Sequence, residues 1–333
     1  MTGAGLVSLA IELGPQGYWW MNLLFLVAIY SMLGLSLNLI NGYAGMFSLG
    51  HHGFWAMGAY GAAWFTVQFA GTMPGFIVFL LSCLFAMAVA GIGGLLIGLP
   101  CLRLRGDYLA IATLGFGEII RIVIQNSPKD VLGGSLGLAV PRVIMDVNRK
   151  TKGDFRVLMV VMGFVVVGLM AWGIRNYIRS SKGRAMLAVA QDETAAGLLG
   201  INPTRSKVTA FVIASTLAGL AGAMYAHYQG NVTPLEFGFM EMVKIFLIVV
   251  LGGMGSLSGC IFAAFLLIFV EQWLAKLPPE AGFFKDWWQV EYSLILVLLM
   301  IFRPRGIFGP REISDVIRSA RRKLARKAAK GTA

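Results

Sequence analysis

Long apolar runs recur along this chain. They include "LLFLVAIYSMLGLSLNLI" at 23–40, "FIVFLLSCLFAMAVAGIGGLLIGL" at 76–99 and "VLMVVMGFVVVGLMAWGI" at 157–174. A run of about 18 or more apolar residues is long enough to cross the ~30 Å hydrocarbon of a bilayer. Backbone groups in lipid must pair internally, so such segments are helices. A barrel would show short alternating segments instead. The composition agrees: 13% of the residues are charged, against about 25% in soluble domains. The expected fold is all-α, a polytopic membrane helical bundle with about 8–10 membrane helices, some of them broken or re-entrant.

Crossings are expected at about 18–40, 53–70, 75–98, 107–126, 157–174, 208–228, 241–254, 255–275 and 289–302. The first 17 residues hold no Lys or Arg, so the basic start of a secretory signal is missing and the first run should stay as a membrane helix. Cys83, Cys101 and Cys260 stand in or beside apolar segments and read as small buried residues, without metal spacing.

The net charge of +12 is concentrated in connections and in the tail. "CLRLRG" at 101–106, the segment 175–207 and the tail from Arg303 are basic. Lys and Arg are retained on the cytoplasmic side, so these three belong there, with the N-terminus outside and the C-terminus inside. The 128–156 connection then lies outside although Lys and Arg outnumber Asp in it. Nucleic acid is not the partner implied, because membrane topology accounts for the basic character.

"NGYAGMFSLGH" at 41–51 sets glycines and polar residues beside an apolar run. "LGGMGSLSGC" at 251–260 repeats the arrangement of Gly, a short gap, Ser-Leu and Gly. Corresponding Gly-interrupted helices in a transporter often mark its translocation path. Broken backbone at membrane depth needs polar partners or a wet cavity. Asn38, Asn41, Ser48, His51 and Ser256 are therefore candidate path residues. The same composition would also serve a tight helix-packing node. The 241–275 stretch is short for two crossings of roughly 20 residues each, so one of them should be short or re-entrant.

Glu118 and Arg121 interrupt "GDYLAIATLGFGEIIRIVIQN" three residues apart, on one helix face. Either charge alone is costly in lipid, so they should pair and face the bundle, as a packing pair or as a path contact. His51 and His52 are adjacent and point in different directions, so they do not form the i, i+4 clamp of a metal site. No Ser/His/Asp arrangement or metal set is spaced for catalysis, so no catalytic or metal residues are expected.

The ordered set "SLNLINGYAGMFSLGHHGFWAMGAY" (36–60), "LRGDYLAIATLGFGEIIRI" (104–122), "GRAMLAVAQDETAAGLLGIN" (183–202), "AGLAGAMYAHY" (218–228), "VVLGGMGSLSG" (249–259) and "RPRGIFG" (303–309) resembles the Liv-type permeases of branched-chain amino-acid ABC importers. "LGGSLGL" (132–138) resembles the family's outer Gly-Gly turn, with Leu132 where Thr is common. The resemblance implies a permease domain over 1–310 and a basic cytoplasmic tail over 311–333, which either lies on anionic lipid or stays disordered. It also implies a coupling segment at 175–207. There "TAAGLLG" approximates the coupling-helix pattern Glu-Ala-Ala-x-x-x-Gly, with Thr194 in place of the usual Glu. By that resemblance a helix over 186–200 meets the ATPase, with Arg184, Ala188, Asp192, Glu193, Ala195, Ala196 and Gly200 as contacts.

The implied partners are a second homologous permease, two ATP-binding subunits, a periplasmic or extracellular solute-binding protein, and membrane lipid. No Gly-x-x-x-x-Gly-Lys-Ser/Thr loop occurs, so ATP and Mg would be bound by the partners, with no cofactor in this chain and no enzyme activity of its own. The implied location is the cytoplasmic (inner) membrane of a bacterium or archaeon. The alternatives left open are a permease for urea or short amides, and a secondary transporter driven by an ion gradient.

Overall fold

The computed structural model of the chain describes residues 14–102, 104, 106–141, 143 and 152–276. The expected crossing at 289–302, the "RPRGIFG" block and the basic tail lie outside the described residues. The described helices are α1 (Gly14–Asn38), α2 (His51–Phe69), α3 (Gly75–Cys101), α4 (Asp107–Gln125), α5 (Lys129–Leu132), α6 (Lys152–Arg179), α7 (Ser181–Gln191), α8 (Glu193–Leu198), α9 (Pro203–Gln229), α10 (Phe239–Gly252) and α11 (Leu257–Ala275). The strands described are β1 (Leu138–Ala139) and β2 (Asn231–Val232), paired antiparallel. This is the expected all-α polytopic bundle.

Five helical segments among the described residues are long and apolar enough to span a membrane: Gly17–Tyr43, α3, Phe155–Arg179 within α6, α9 and α11. α2 and α4 have 19 residues each but carry histidines, glycines or charges among their apolar positions. α10 has 14 residues and at ~1.5 Å per residue reaches only about 21 Å, so the crowding expected at 241–275 is resolved by a short α10.

α1 is the centre of the bundle. Its apolar window is 89% buried, against 28% for the window of α6. Phe25, Ala28, Met32, Leu33, Leu35 and Leu37 are wholly covered, as a helix that is apolar on all sides should be. The outer faces of α3 and α6 instead expose Leu80, Leu84, Ile92 and Leu96, and Val161, Val165, Leu169 and Trp172. Lipid is as apolar as leucine, so these positions gain nothing from burial.

α2, α3 and α9 pack almost backbone to backbone. A Cβ at Gly58 would collide with Gly219, one at Gly222 with Trp55 and Ala59, and one at Gly94 with Ser215. Small residues permit such approach where no hydrophobic effect drives helix association. At the far end of this contact His227 Nε2 lies 2.7 Å from Ser82 Oγ and 3.5 Å from Thr66 Oγ1, a polar clasp joining the three helices.

The connections sort to two ends. α3 and α9 run antiparallel, with Gly98 beside Phe211 and Ser82 beside His227. The basic 101–106 connection and the 175–207 segment therefore share one end of the bundle. At the other end Val140 N–H donates to Gly230 C=O at 2.9 Å, and Tyr60 Oη donates to Val232 C=O at 3.0 Å.

A charged cluster fastens α10 and α11 to α1. Lys244 Nζ lies 2.8 Å from carboxylate oxygens of both Glu241 and Glu271, and Tyr30 donates to Glu241. Glu241 and Lys244 are i, i+3 neighbours on α10, but Tyr30 and Glu271 reach them from other helices, so the group of four is not visible in the sequence.

Candidate functional site

Two helix breaks meet at the end of α1. After Asn38 the chain makes a π-helical turn, Leu39–Tyr43, in which Ala44 N–H reaches Leu39 C=O at 3.0 Å and Met46 N–H reaches Ile40 C=O at 3.1 Å. Gly45 then adopts φ +64°, a left-handed backbone that costs residues with a Cβ about 1–2 kcal/mol. The chain is non-helical from there to Gly50, and α2 begins at His51. The second break follows α10, where Gly253 and Gly255 have φ of 99° and 86°. It closes with Ser256 Oγ accepting from Gly259 N–H at 3.1 Å to cap α11.

Asn38 ties the two breaks together. Its Oδ1 accepts from Gly255 N–H at 2.9 Å and its Nδ2 donates to Ser256 C=O at 3.1 Å. Gly42 faces the same backbone: a Cβ there would strike Asn38 and Gly255 N. The resemblance between 41–51 and 251–260 is thus a spatial contact, bridged by one amide side chain.

Asn41 holds the first break closed. Its amide donates to Ser48 C=O at 3.3 Å and accepts from Ser48 N–H at 3.2 Å. Thr113 Oγ1 on α4 accepts from Leu49 N–H at 3.0 Å. Side chains therefore satisfy freed backbone groups, as unpaired peptide groups in lipid require.

Several expectations change in detail. The break covers 39–50, and His51 and His52 belong to the first turn of α2. Ser48 acts through its backbone, while its hydroxyl has no partner. His51 serves a side chain rather than the backbone: its Nε2 lies 2.7 Å from Ser36 Oγ, which donates to Leu33 C=O at 2.9 Å. Asn38, Asn41, Ser48, His51 and Ser256 are all buried within this one chain. Within this chain they make a packing and hydrogen-bonding node. Ser36 and Thr113 complete it, and nothing in their apolar sequence surroundings singled them out.

α4 leans on the node through glycine. Gly50 meets Thr113, Gly53 meets Gly117, and the ring of His52 lies against Gly117. Arg121 Nε donates to Glu118 Oε2 at 2.7 Å, so the expected pair forms. His52 Nε2 stands 3.6 Å from Glu118 Oε1, with His52 wholly covered and the Glu118 side chain 28% exposed. The buried Glu118 Oε1 and His52 Nε2 therefore face each other, and the His52 ring also interacts with the Leu49 backbone. Among the described residues no three His, Cys, Asp or Glu side chains are grouped as metal ligands.

At the basic end, the single helix expected over 186–200 is two helices. Asp192, with φ −153° and ψ 109°, breaks it and caps α8 by accepting from Thr194 N–H at 2.8 Å and Ala195 N–H at 3.0 Å. Aspartate is a strong N-cap and a poor interior residue, so a kink falls there. Glu193 pairs with Lys207 at 2.7 Å, Arg184 donates to Arg179 C=O at 2.8 Å, and Ala196 is buried. Of these three, Arg184 stays exposed, Glu193 is half-buried and Ala196 is covered. Ala188 is half-buried, while Ala195 and Gly200 are exposed. The expected list omitted Leu198 and Leu199, which are 86% and 81% exposed at this elbow.

A helical bundle with five segments among the described residues long and apolar enough to span a membrane is that of a multi-pass membrane protein. The chain belongs to the family described as branched-chain amino acid transport system / permease component, whose model matches residues 20–303. It is similar to the high-affinity branched-chain amino acid transport system permease protein LivM of Salmonella typhimurium, 36% identical over 304 residues that cover 84% of this chain and 67% of the relative. LivM of Escherichia coli is 35% identical over 307 residues, covering 85% and 68%. LivH of Escherichia coli, the second kind of permease among the relatives, is 25% identical over 295 residues, covering 86% and 93%. No solved structure matches the chain.

Proposed function

We propose that this chain is a membrane-spanning permease subunit of an ATP-driven importer for branched-chain or other neutral amino acids. It pairs with a second permease, as the occurrence of both LivM and LivH among its relatives supports. Two ATP-binding subunits hold ATP and Mg, and a solute-binding protein delivers the amino acid from the periplasm or exterior. The basic connections face the cytoplasm of a bacterium or archaeon, with the N-terminus outside and the C-terminus inside.

The observation that carries the energy-coupling part is the α7–α8 elbow. It holds two exposed leucines, Leu198 and Leu199, beside Ala195 and Gly200, at the end that carries the basic connections. Small residues around an apolar tip fit a cleft on a partner subunit. The solute passes beside the half-open face of α4, with Glu118 and Arg121 at its edge. Asn38, Asn41, Ser48, His51 and Ser256 form the wall that supports this path.

Reconstitution tests the reading. Proteoliposomes holding this chain, its partner permease and the ATPases should take up labelled leucine only with ATP and the binding protein. Leu198→Asp together with Leu199→Asp should release the ATPases from the purified assembly. Uptake by this chain alone under an ion gradient would overturn the importer reading.

A further inference from the structure

A groove of about 320 Å³ runs between α6 and α9. Val166, Met170, Gly173 and Tyr177 form its α6 wall, and Ile213 and Leu217 face them from α9. These positions recur at helical spacing, so each helix supplies one continuous stripe. The walls are apolar until Tyr177, whose ring carries a hydroxyl. From Val166 to Tyr177 the stripe rises about 16 Å at ~1.5 Å per residue. That is about half of the ~30 Å hydrocarbon, the depth of one leaflet. The groove opens on the face that lipid covers: α6 holds the least buried of the five spanning segments, and Leu169 at the lip is 60% exposed. Its floor lacks bulk at Gly173, where an added Cβ would meet nothing within 4 Å. The Tyr177 end lies at the basic end of the bundle. There α7 folds back on α6, so that a Cβ at Gly183 would strike Tyr177 C=O. Lys182, next to Gly183, and Arg205, in the first turn of α9, are both exposed. Neither is in an ion pair among the described residues, whereas Lys207 is paired with Glu193.

We propose that this groove holds one acyl chain of an anionic phospholipid, whose phosphate lies at Lys182 and Arg205 with Tyr177 at headgroup level. Shape argues for the chain. Spread over a depth of about 16 Å, the volume leaves a section of about 20 Å², some 5 Å across. A single file of methylenes, about 4 Å wide at van der Waals contact, enters such a slot. A partner helix, ~10–12 Å in diameter, would rest on its lip. The apolar walls offer no partners to water or to a polar solute. Charge argues for the headgroup. Basic pockets between membrane helices bind the headgroups of anionic lipids, and a zwitterionic lipid brings a cation that offsets the attraction. Tyrosine suits the boundary, with its ring among the chains and its hydroxyl at the wet end. The proposal depends only on the chain spanning a membrane, and not on what it carries.

Photo-cross-linking of the full-length chain in phosphatidylcholine nanodiscs tests the site. The probes are phosphatidylglycerol and phosphatidylcholine that carry the same diazirine acyl chain, each at the same small fraction of the lipid. Peptides containing Met170 and Leu217 should take up the anionic probe at least about tenfold more than the zwitterionic one, as two cations near a membrane surface allow. Lys182→Gln and Arg205→Gln should each lower that preference about fivefold, the share of one cation. Gly173→Leu puts a side chain into the groove and should abolish labelling of the Leu217 peptide. Gly168→Leu is its control: it is on the same helix, an added Cβ there also meets nothing within 4 Å, and it lies outside the groove. Labelling should survive that change. Equal labelling by the two probes, or none at these peptides, overturns the proposal on the unmutated chain, whether or not the variants fold. Unchanged labelling of a Gly173→Leu protein that elutes as one species also overturns it, as does full preference in both cation variants. A photo-cross-linking residue in place of Leu169 supplies the last arm. If it captures another protein chain instead of lipid, the groove is a subunit contact and the proposal falls.

Discussion

Replacing Asn38 with alanine removes the bridge between the two breaks, and the structure sets the size of the effect. Gly255 N–H loses its 2.9 Å acceptor, and an orphaned N–H costs about 1–3 kcal/mol. Ser256 C=O loses the 3.1 Å bond from Asn38 but still accepts from Cys260 N–H at 3.3 Å. That second loss is an ordinary hydrogen bond, about 0.5–1.5 kcal/mol. Together Asn38→Ala should weaken the junction by about 1.5–4.5 kcal/mol. At about 1.4 kcal/mol per tenfold, even the lower figure raises the open population roughly tenfold. Cys260 reports on that opening, because it is wholly buried in the first turn of α11. In a background with Cys83→Ser and Cys101→Ser, maleimide should modify Cys260 at least about tenfold faster in the Asn38→Ala protein. Thermal unfolding should fall in parallel. Unchanged labelling and an unchanged midpoint would refute the claim that Asn38 joins the breaks.

Two further substitutions probe the rest of the scaffold. Gly58→Leu drives a side chain into the backbone of Gly219 and should cost at least about 1–3 kcal/mol by overpacking, read as a lost monodisperse peak in size-exclusion chromatography. Lys244→Met leaves Glu241 and Glu271 facing each other without their cation and should destabilise by up to about 3–5 kcal/mol. The triple change Glu241→Gln, Lys244→Met and Glu271→Gln should recover most of the lost melting temperature.

The sequence exposes those features that repeat over many residues. Apolar runs locate the spanning helices to within a few positions, because crossing a bilayer requires about 20 predominantly apolar residues. The Glu118–Arg121 pair is legible because i, i+3 spacing guarantees proximity on a helix. The closure of the node is not. Asn38 and Gly255 are 217 positions apart, and His227 is 145 from Ser82. Such partners are set by how helices cross, and helix crossing here depends on glycines too common in the chain to be assigned singly. The α7–α8 kink had a local signal: Asp192 is a strong cap preceding a short apolar stretch. The leucines after it were hidden because exposure is a tertiary property.

The first break also touches the α7–α8 elbow, which under the importer reading would give a route from ATPase to path. A Cβ at Gly45 would lie 3.3 Å from Ala190 Cβ and 3.6 Å from Ala190 C=O, so the break rests on α7 close to Asp192. From Gly45 the chain runs through Ser48, held by Asn41, and through Leu49, held by Thr113, to His52 beside Glu118. A shift of α7 toward Gly45 would press on this segment through the Ala190 contact. Gly45→Ala tests the route, and Gly71→Ala is its control. Both glycines have left-handed backbones, φ 64° and 88°, but nothing lies within 4 Å of a Cβ at Gly71. Each change carries the same backbone cost of about 1–2 kcal/mol, and only Gly45→Ala also pushes on α7. Compared at equal amounts of assembled protein, Gly45→Ala should raise the ATP hydrolysed per solute moved, and Gly71→Ala should not. If the two variants show the same coupling ratio, the strand carries no signal and the contact with Ala190 is packing alone.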